Sequence, residues 1–107
     1  MTVPSHLLTV PDVLAKLEAQ KTPRSISSFI SGKVEVKLYA PRGTDPQSPH
    51  NRDEVYVVVS GRGRFVHGDK VDAFGPGDLL WVPAGVIHKF MDFTDDLVVW
   101  VVFFGDP

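Results

Sequence analysis

The chain has 107 residues, of which 43% are hydrophobic and 22% are charged, with a formal net charge of -2. This length is typical of one domain with a modest core, and the charge balance excludes the basic surface that a nucleic-acid partner requires. The absence of cysteine excludes a disulfide scaffold, a thiolate nucleophile and any sulfur-ligated metal.

The first predicted element is a helix over residues 11–20. Thr9 is placed to act as its N-cap, with Asp12 three residues later. The apolar face of this helix is formed by Val13, Leu14 and Leu17. No stretch before the helix has the charged and apolar regions of a signal peptide. We therefore expect a cytoplasmic protein in which residues 1–24 form an N-terminal segment that carries one short helix.

Residues 25–107 are predicted to form an all-β barrel. Short apolar runs alternate there with Gly, Pro, Asp and Ser, which is typical of small all-β domains. The predicted strands cover residues 25–30, 33–39, 54–60, 63–67, 70–74, 79–82, 88–93 and 97–104. Four aromatic residues of these strands are expected in the core: Phe65, Trp81, Phe90 and Trp100.

Two of these strands differ in the spacing of their apolar residues. In residues 33–39, Glu35 and Lys37 alternate with apolar residues, which predicts a strand with one exposed face. Residues 97–104 are apolar throughout, so both faces must be covered. That run is far shorter than the ~20 residues that a membrane helix needs. The N-terminal helix, a second sheet or another subunit could cover the outer face. We expect a homodimer that binds neither membranes nor nucleic acid.

Two histidines and one carboxylate lie at the ends of predicted strands. His50 and Glu54 are four residues apart, and in an extended chain this even spacing places both on one face, which Tyr56 continues. A glutamate that points into an apolar barrel is costly without a partner, and a divalent cation would remove that cost. His88 begins another strand shortly after a Pro-x-Gly turn. These are the ingredients of a mononuclear metal site.

The segments around these residues resemble the two sequence motifs of the cupin superfamily. The motifs read G-x5-H-x-H-x3,4-E-x6-G and G-x5-P-x-G-x2-H-x3-N. The first is matched at His50, Glu54 and Gly61, and the second at Gly77, Pro83, Gly85 and His88. The resemblance implies a cupin-type β-barrel, a double-stranded β-helix or jelly roll, in which His50, Glu54 and His88 hold one divalent metal ion.

Three positions depart from these motifs. Ser48 occupies the position of the first motif histidine. Gly43 lies one residue closer to that position than the opening glycine of the motif does, and Asp92 replaces the motif asparagine. The first departure leaves three strong ligands, unless Ser48 or a bulged Gln47 completes the set, and it opens a coordination position for water or substrate. Two imidazoles and a carboxylate suit Fe(II), Mn(II), Zn(II) or Ni(II).

Three functions are compatible with this site. The resemblance implies a metal-dependent oxygenase, lyase or isomerase that acts on a small organic molecule. The same residues could serve a non-catalytic cupin that binds a metal or a small ligand, or could form a polar cluster without metal. The third alternative is a metal-free epimerase, with His50 or His88 as base and Tyr56 as acid.

Overall fold

A computed structural model of the chain describes residues 7–106, so residues 1–6 and Pro107 of the two predicted segments lie outside the described part. The described part contains one helix, α1 (Val10–Gln20), followed by eight strands. The strands are β1 (Ser25–Ser31), β2 (Val34–Tyr39), β3 (Asp53–Ser60), β4 (Gly63–His67), β5 (Lys70–Phe74), β6 (Leu79–Val82), β7 (His88–Met91) and β8 (Val98–Phe104). The predicted elements are thereby confirmed, with ends shifted by one or two residues.

The strands form two antiparallel sheets that share one core. The larger sheet has the order β1–β2–β8–β3–β6, and the smaller has the order β5–β4–β7. Apolar side chains from both sheets meet between them: Tyr56, Val58, Phe65, Phe74, Val82, Phe90, Leu97, Val99, Val101 and Phe103. The predicted all-β, cupin-type barrel is therefore confirmed, including the core positions of Phe65 and Phe90.

Helix α1 begins and ends at residues that stop regular helix formation. The Thr9 side chain accepts a hydrogen bond from the Asp12 amide at 3.3 Å, as the capping prediction requires. The helix ends at Lys21, whose φ of 64° breaks the helical path. Its apolar side packs on the outer face of the larger sheet, with Val13, Leu17, Leu38, Ala40 and Val98 buried together. No helix in residues 7–106 is long and apolar enough to cross a membrane.

The outer face of the larger sheet is covered by α1 over only part of its width. Leu79 and Trp81 of the edge strand β6 are 64% and 46% exposed, while Val82 is buried on the inner face. The prediction that Trp81 belongs to the core is therefore wrong, because it lies on the outer face, stacked on Phe104 at 5.8 Å between ring centroids. The apolar run alone did not show which face of β6 the rest of the fold covers.

Candidate metal centre

Strand β3 directs its even-numbered residues into the barrel. Glu54, Tyr56 and Val58 are buried, whereas the residues between them are half-buried on the outer face. Glu54 has no exposed surface, although it lies only one residue from the start of the strand. The predicted inward glutamate therefore lies inside the barrel, beside Tyr56.

The turn between β6 and β7 is attached to the segment that leads into β3. The Gly85 amide donates to the His50 carbonyl at 2.7 Å, and the Ala84 amide donates to Oδ1 of Asp53 at 2.8 Å. Gly85 has a φ of 81°, in the left-handed region that glycine adopts without strain. Because this turn leads directly into β7, these hydrogen bonds place His88 opposite Glu54.

The structure brings His50, Glu54 and His88 together, and we call these three residues the Glu54 cluster. Oε1 of Glu54 lies 2.9 Å from Nδ1 of His50 and 2.6 Å from Nε2 of His88. One potential ligand atom from each residue lies within 4.8 Å of the other two. Glu54 and His88 are buried, while His50 is partly exposed at the edge of the group. These three residues could hold a metal ion, and the group has one accessible side.

Two buried atoms of the Glu54 cluster have no hydrogen-bond partner. They are Oε2 of Glu54 and Nε2 of His88, whose close approach to Glu54 lacks hydrogen-bond geometry. Nδ1 of His88 donates to the Val86 carbonyl at 2.9 Å, since a carbonyl only accepts. Nε2 of a neutral His88 therefore carries the lone pair, and metal-ligating histidines typically use such a backbone partner to orient the ring. This donor set fits a divalent ion of the first transition row.

The charge state of His88 depends on opposing influences. Burial lowers the pKa of His88, but the Glu54 carboxylate and the Val86 carbonyl raise it by more, so the net pKa lies above its ordinary value. The raised pKa shows that the Glu54 carboxylate favours a positive charge at the position between itself and His88. A proton or a metal ion would fulfil that requirement.

A second polar group lies beside the Glu54 cluster, and we call it the Asp45 cluster. It consists of Tyr39, Asp45, Gln47 and Tyr56. Asp45 accepts hydrogen bonds from the Tyr39 hydroxyl, from Nε2 of Gln47 at 2.6 Å and from the Phe90 amide at 2.8 Å. Sequence reasoning missed Tyr39 and Asp45, because the partners of Asp45 come from β2, β7 and its own loop.

The Asp45 cluster holds Gln47 and Tyr56 in defined states. The Tyr56 hydroxyl donates to Oε1 of Gln47 at 2.9 Å. Burial, and then the charge of Glu54, raise the pKa of Tyr56 well above its ordinary value, so the phenol stays protonated at neutral pH. Both polar ends of Gln47 are hydrogen-bonded, and these bonds hold its side chain beside Asp45 and Tyr56. Ser48 is exposed. As ligands, Gln47 and Ser48 stay predictions.

A cavity of about 160 Å³ opens beside both clusters. His50 contributes to its wall from the Glu54 cluster, and Tyr39, Gln47 and Tyr56 contribute from the Asp45 cluster. Lys37 and Phe103 also line the cavity and can contact a bound ligand. A small molecule in this cavity would contact the exposed side of His50 and the ring of Tyr56.

The chain is similar in sequence to a known protein family and to a known protein. Residues 31–104 match the cupin domain family. The uncharacterized protein SCO3923 of Streptomyces coelicolor is 50% identical over 95 residues, which cover 84% of this chain and 90% of that protein.

Two solved structures share the fold. TT1209 from Thermus thermophilus superimposes with a TM-score of 0.66 at 25% identity, over 78% of this chain and 83% of that one. The DMSP lyase DddQ from Ruegeria pomeroyi superimposes with a TM-score of 0.67 at 23% identity, over 77% of this chain and 46% of that one. At that identity, the similarity to the lyase concerns the fold alone.

Proposed function

Since the chain belongs to the cupin family, we propose that it is a metal-dependent enzyme that acts on a small organic molecule. The observation that carries the proposal is the pair of fully buried atoms, Nε2 of His88 and Oε2 of Glu54, that lack a hydrogen-bond partner. Native structures rarely leave such atoms unpaired, because each costs free energy that a ligand can recover. The cavity that His50 lines gives a substrate room beside the Glu54 cluster.

The proposed cofactor is one divalent ion held by imidazole nitrogens of His50 and His88 and a carboxylate oxygen of Glu54. Fe(II), Mn(II), Zn(II) and Ni(II) all accept this mixture of nitrogen and oxygen ligands. When bound, such an ion orients a substrate, polarises its oxygen atoms or activates dioxygen, which are the chemistries of lyases, isomerases and oxygenases.

The protein side of the reaction falls to the residues around the cavity. Tyr56 carries a phenol that stays protonated, so it can donate a hydrogen bond or a proton but does not act as a base at neutral pH. Gln47 holds that hydroxyl in place from the loop. Val101 and Phe103 give the cavity an apolar wall, which limits water around a bound ligand.

Metal analysis of the purified protein and turnover measurements test this proposal together. Metal-free protein is loaded in turn with each of the four ions and assayed against small carbonyl compounds, hydroxy acids and sugars. We expect His50→Ala, Glu54→Gln and His88→Ala to abolish turnover. Arg64→Ala, which changes an exposed residue of β4, should leave it intact. Metal-dependent ligand binding without turnover of any bound ligand would instead identify a binding module.

A metal-free epimerase is the second candidate, and one contact favours it. Oε1 of Glu54 lies 2.9 Å from Nδ1 of His50, which is the arrangement in which a carboxylate orients a histidine base. Tyr56 would then serve as the acid. Turnover that persists after the metal has been removed and its absence verified would overturn the metal-dependent proposal in favour of this one.

We also propose that a second copy of the chain covers the exposed part of the larger sheet. Trp81 pairs with Val55, Val55 with Val102 and Val102 with Val36, so an uncharged row crosses four strands. A two-fold partner would bring the same uncharged row, and no charge would be buried. Sedimentation should give twice 11.8 kDa for the wild type and 11.8 kDa for Trp81→Glu. A monomeric wild type at micromolar concentration would overturn this. A cytoplasmic location and the absence of a nucleic-acid partner stay predictions.

A further inference from the structure

Lys37 is the charged residue that the metal proposal leaves without a role. It lies on β2 directly opposite Val101 of β8, whose side chain belongs to the core. Directly opposite residues of an antiparallel pair point to the same side of a sheet, so Lys37 faces the barrel and lines the cavity. The half-exposed strand predicted from the sequence therefore presents its polar face to this cavity.

The cavity wall has an excess of positive charge. The side chain of Lys37 contributes an ammonium group to the wall. Among the described residues that line the cavity, none is an aspartate or a glutamate. Glu35 has a different partner, since it pairs with Arg52 at 2.9 Å. No carboxylate of residues 7–106 lies within 4.0 Å of Nζ of Lys37. Burial raises the pKa of Glu35, but the hydrogen bond from Arg52, with smaller contributions that include the charge of Lys37, lowers it below its ordinary value.

The two tyrosine hydroxyls that line the cavity already donate hydrogen bonds to other side chains. The Tyr39 hydroxyl donates to Asp45, and the Tyr56 hydroxyl donates to Gln47. Nζ of Lys37 lies 5.6 Å from the centroid of the Phe103 ring, a contact that leaves its N–H groups available. A polar ligand would therefore meet Lys37 at one wall of the cavity and the Glu54 cluster at another.

We propose that Lys37 is a specificity-determining residue and that the ligand is a small organic acid whose carboxylate pairs with it. The centroids of the His50 and Phe103 rings are 5.1 Å apart, so Phe103 contacts both His50 and Lys37. A short molecule that lies against the Phe103 ring can therefore reach both His50 and Lys37. The cavity of about 160 Å³ has the size for a small molecule such as an acid of a few carbon atoms. The inference rests on the proposed function for the opposite end of the ligand.

The test compares acids with their uncharged amides. Straight-chain monocarboxylates of two to six carbon atoms, and the matching primary amides, are titrated into zinc-loaded and metal-free protein, with binding followed by NMR chemical shifts. The wild type should bind the best acid about tenfold more tightly than its amide. Lys37→Met should remove that preference and Lys37→Arg should keep most of it. Lys70→Met, a change on exposed β5, should have no effect.

The two metal states separate the failure of this inference from the failure of the proposed function. A preference for acids that survives in Lys37→Met would overturn the role of Lys37, because the carboxylate would then bind elsewhere. The same result follows if no acid binds the wild type. A preference that depends on Lys37 in a protein that takes up none of the four proposed ions would uphold the anion site and overturn the metal-dependent function.

Discussion

The Asp45 cluster and the Glu54 cluster lie side by side in the barrel, yet they differ in how completely their buried atoms are paired. Asp45 is 7% exposed and accepts three hydrogen bonds from three different parts of the chain. Glu54 is fully buried, and one of its oxygens has no partner. Tyr56 joins the clusters, since its ring centroid lies 6.0 Å from that of His88 and its hydroxyl donates to Gln47.

This difference separates a structural cluster from a ligand-binding one. A buried carboxylate that satisfies several donors stabilises the fold, and removing it leaves those donors unpaired. A buried carboxylate with an unpaired oxygen costs stability in the empty protein and recovers it when a cation binds. The two clusters should therefore respond in opposite ways to substitution and to metal.

The largest effect on stability is expected at Asp45. Asp45→Ala removes the acceptor of three donors. We expect the free energy of unfolding to fall by about 4 kcal/mol, since the buried Phe90 amide is left unpaired at about 1–3 kcal/mol and the two half-buried hydrogen bonds contribute about 1 kcal/mol each. Urea denaturation followed by circular dichroism measures the change. Asp72→Ala, on exposed β5, is the control and should change stability little. An equally small effect at Asp45 would show that this cluster is not structural.

Metal should stabilise the protein through the Glu54 cluster. At a free metal concentration about 1,000 times the Kd, binding to the folded state alone adds about 4 kcal/mol to the free energy of unfolding. We expect this increase in the wild type and in Asp45→Asn, which retains an acceptor oxygen. We expect none in Glu54→Gln or His88→Ala. An undiminished response in Glu54→Gln would place the metal elsewhere in the chain.

Without metal, Glu54→Gln should have a much smaller effect than Asp45→Ala. The amide of the new side chain can donate to the unpaired Nε2 of His88, and the substitution removes a buried negative charge. We therefore expect the free energy of unfolding of the metal-free protein to change by less than about 1 kcal/mol. A loss as large as that of Asp45→Ala would show that the ion pair between Glu54 and His88 stabilises the empty fold.

The Glu54 cluster could be predicted from sequence because its determinants are local. The even spacing of His50 and Glu54 places both on one face of a strand entrance, and the Pro-x-Gly turn before His88 is recognisable by itself. The structure adds the hydrogen bond from the Gly85 amide to His50, which connects the two segments. Spacing within the first segment placed His50 and Glu54 on one face, and the resemblance to the two cupin motifs added His88.

The Asp45 cluster could not be predicted because its contacts join distant parts of the chain. Asp45 and Phe90 are 45 residues apart, and nothing local indicates that a loop aspartate turns inward to accept the Phe90 amide. Trp81 and Lys37 show the same limit, since alternation assigns residues to two faces without stating which face the fold covers. Coverage depends on how the sheets and α1 pack.

A small change in stability is also expected at Tyr56, the residue that joins the two clusters. Tyr56→Phe removes one hydrogen bond, to Gln47, and should lower the free energy of unfolding by about 1 kcal/mol. Because the phenol is not among the ligand atoms of the Glu54 cluster, metal affinity should stay unchanged. If Tyr56 donates a proton in the reaction, kcat should fall about 100-fold while KM changes little. Gln47→Leu serves as the control, because it keeps the phenol but breaks this hydrogen bond, together with the one from Gln47 to Asp45. An equal loss of kcat in both variants would mean that the hydrogen bond positions the site and that Tyr56 transfers no proton.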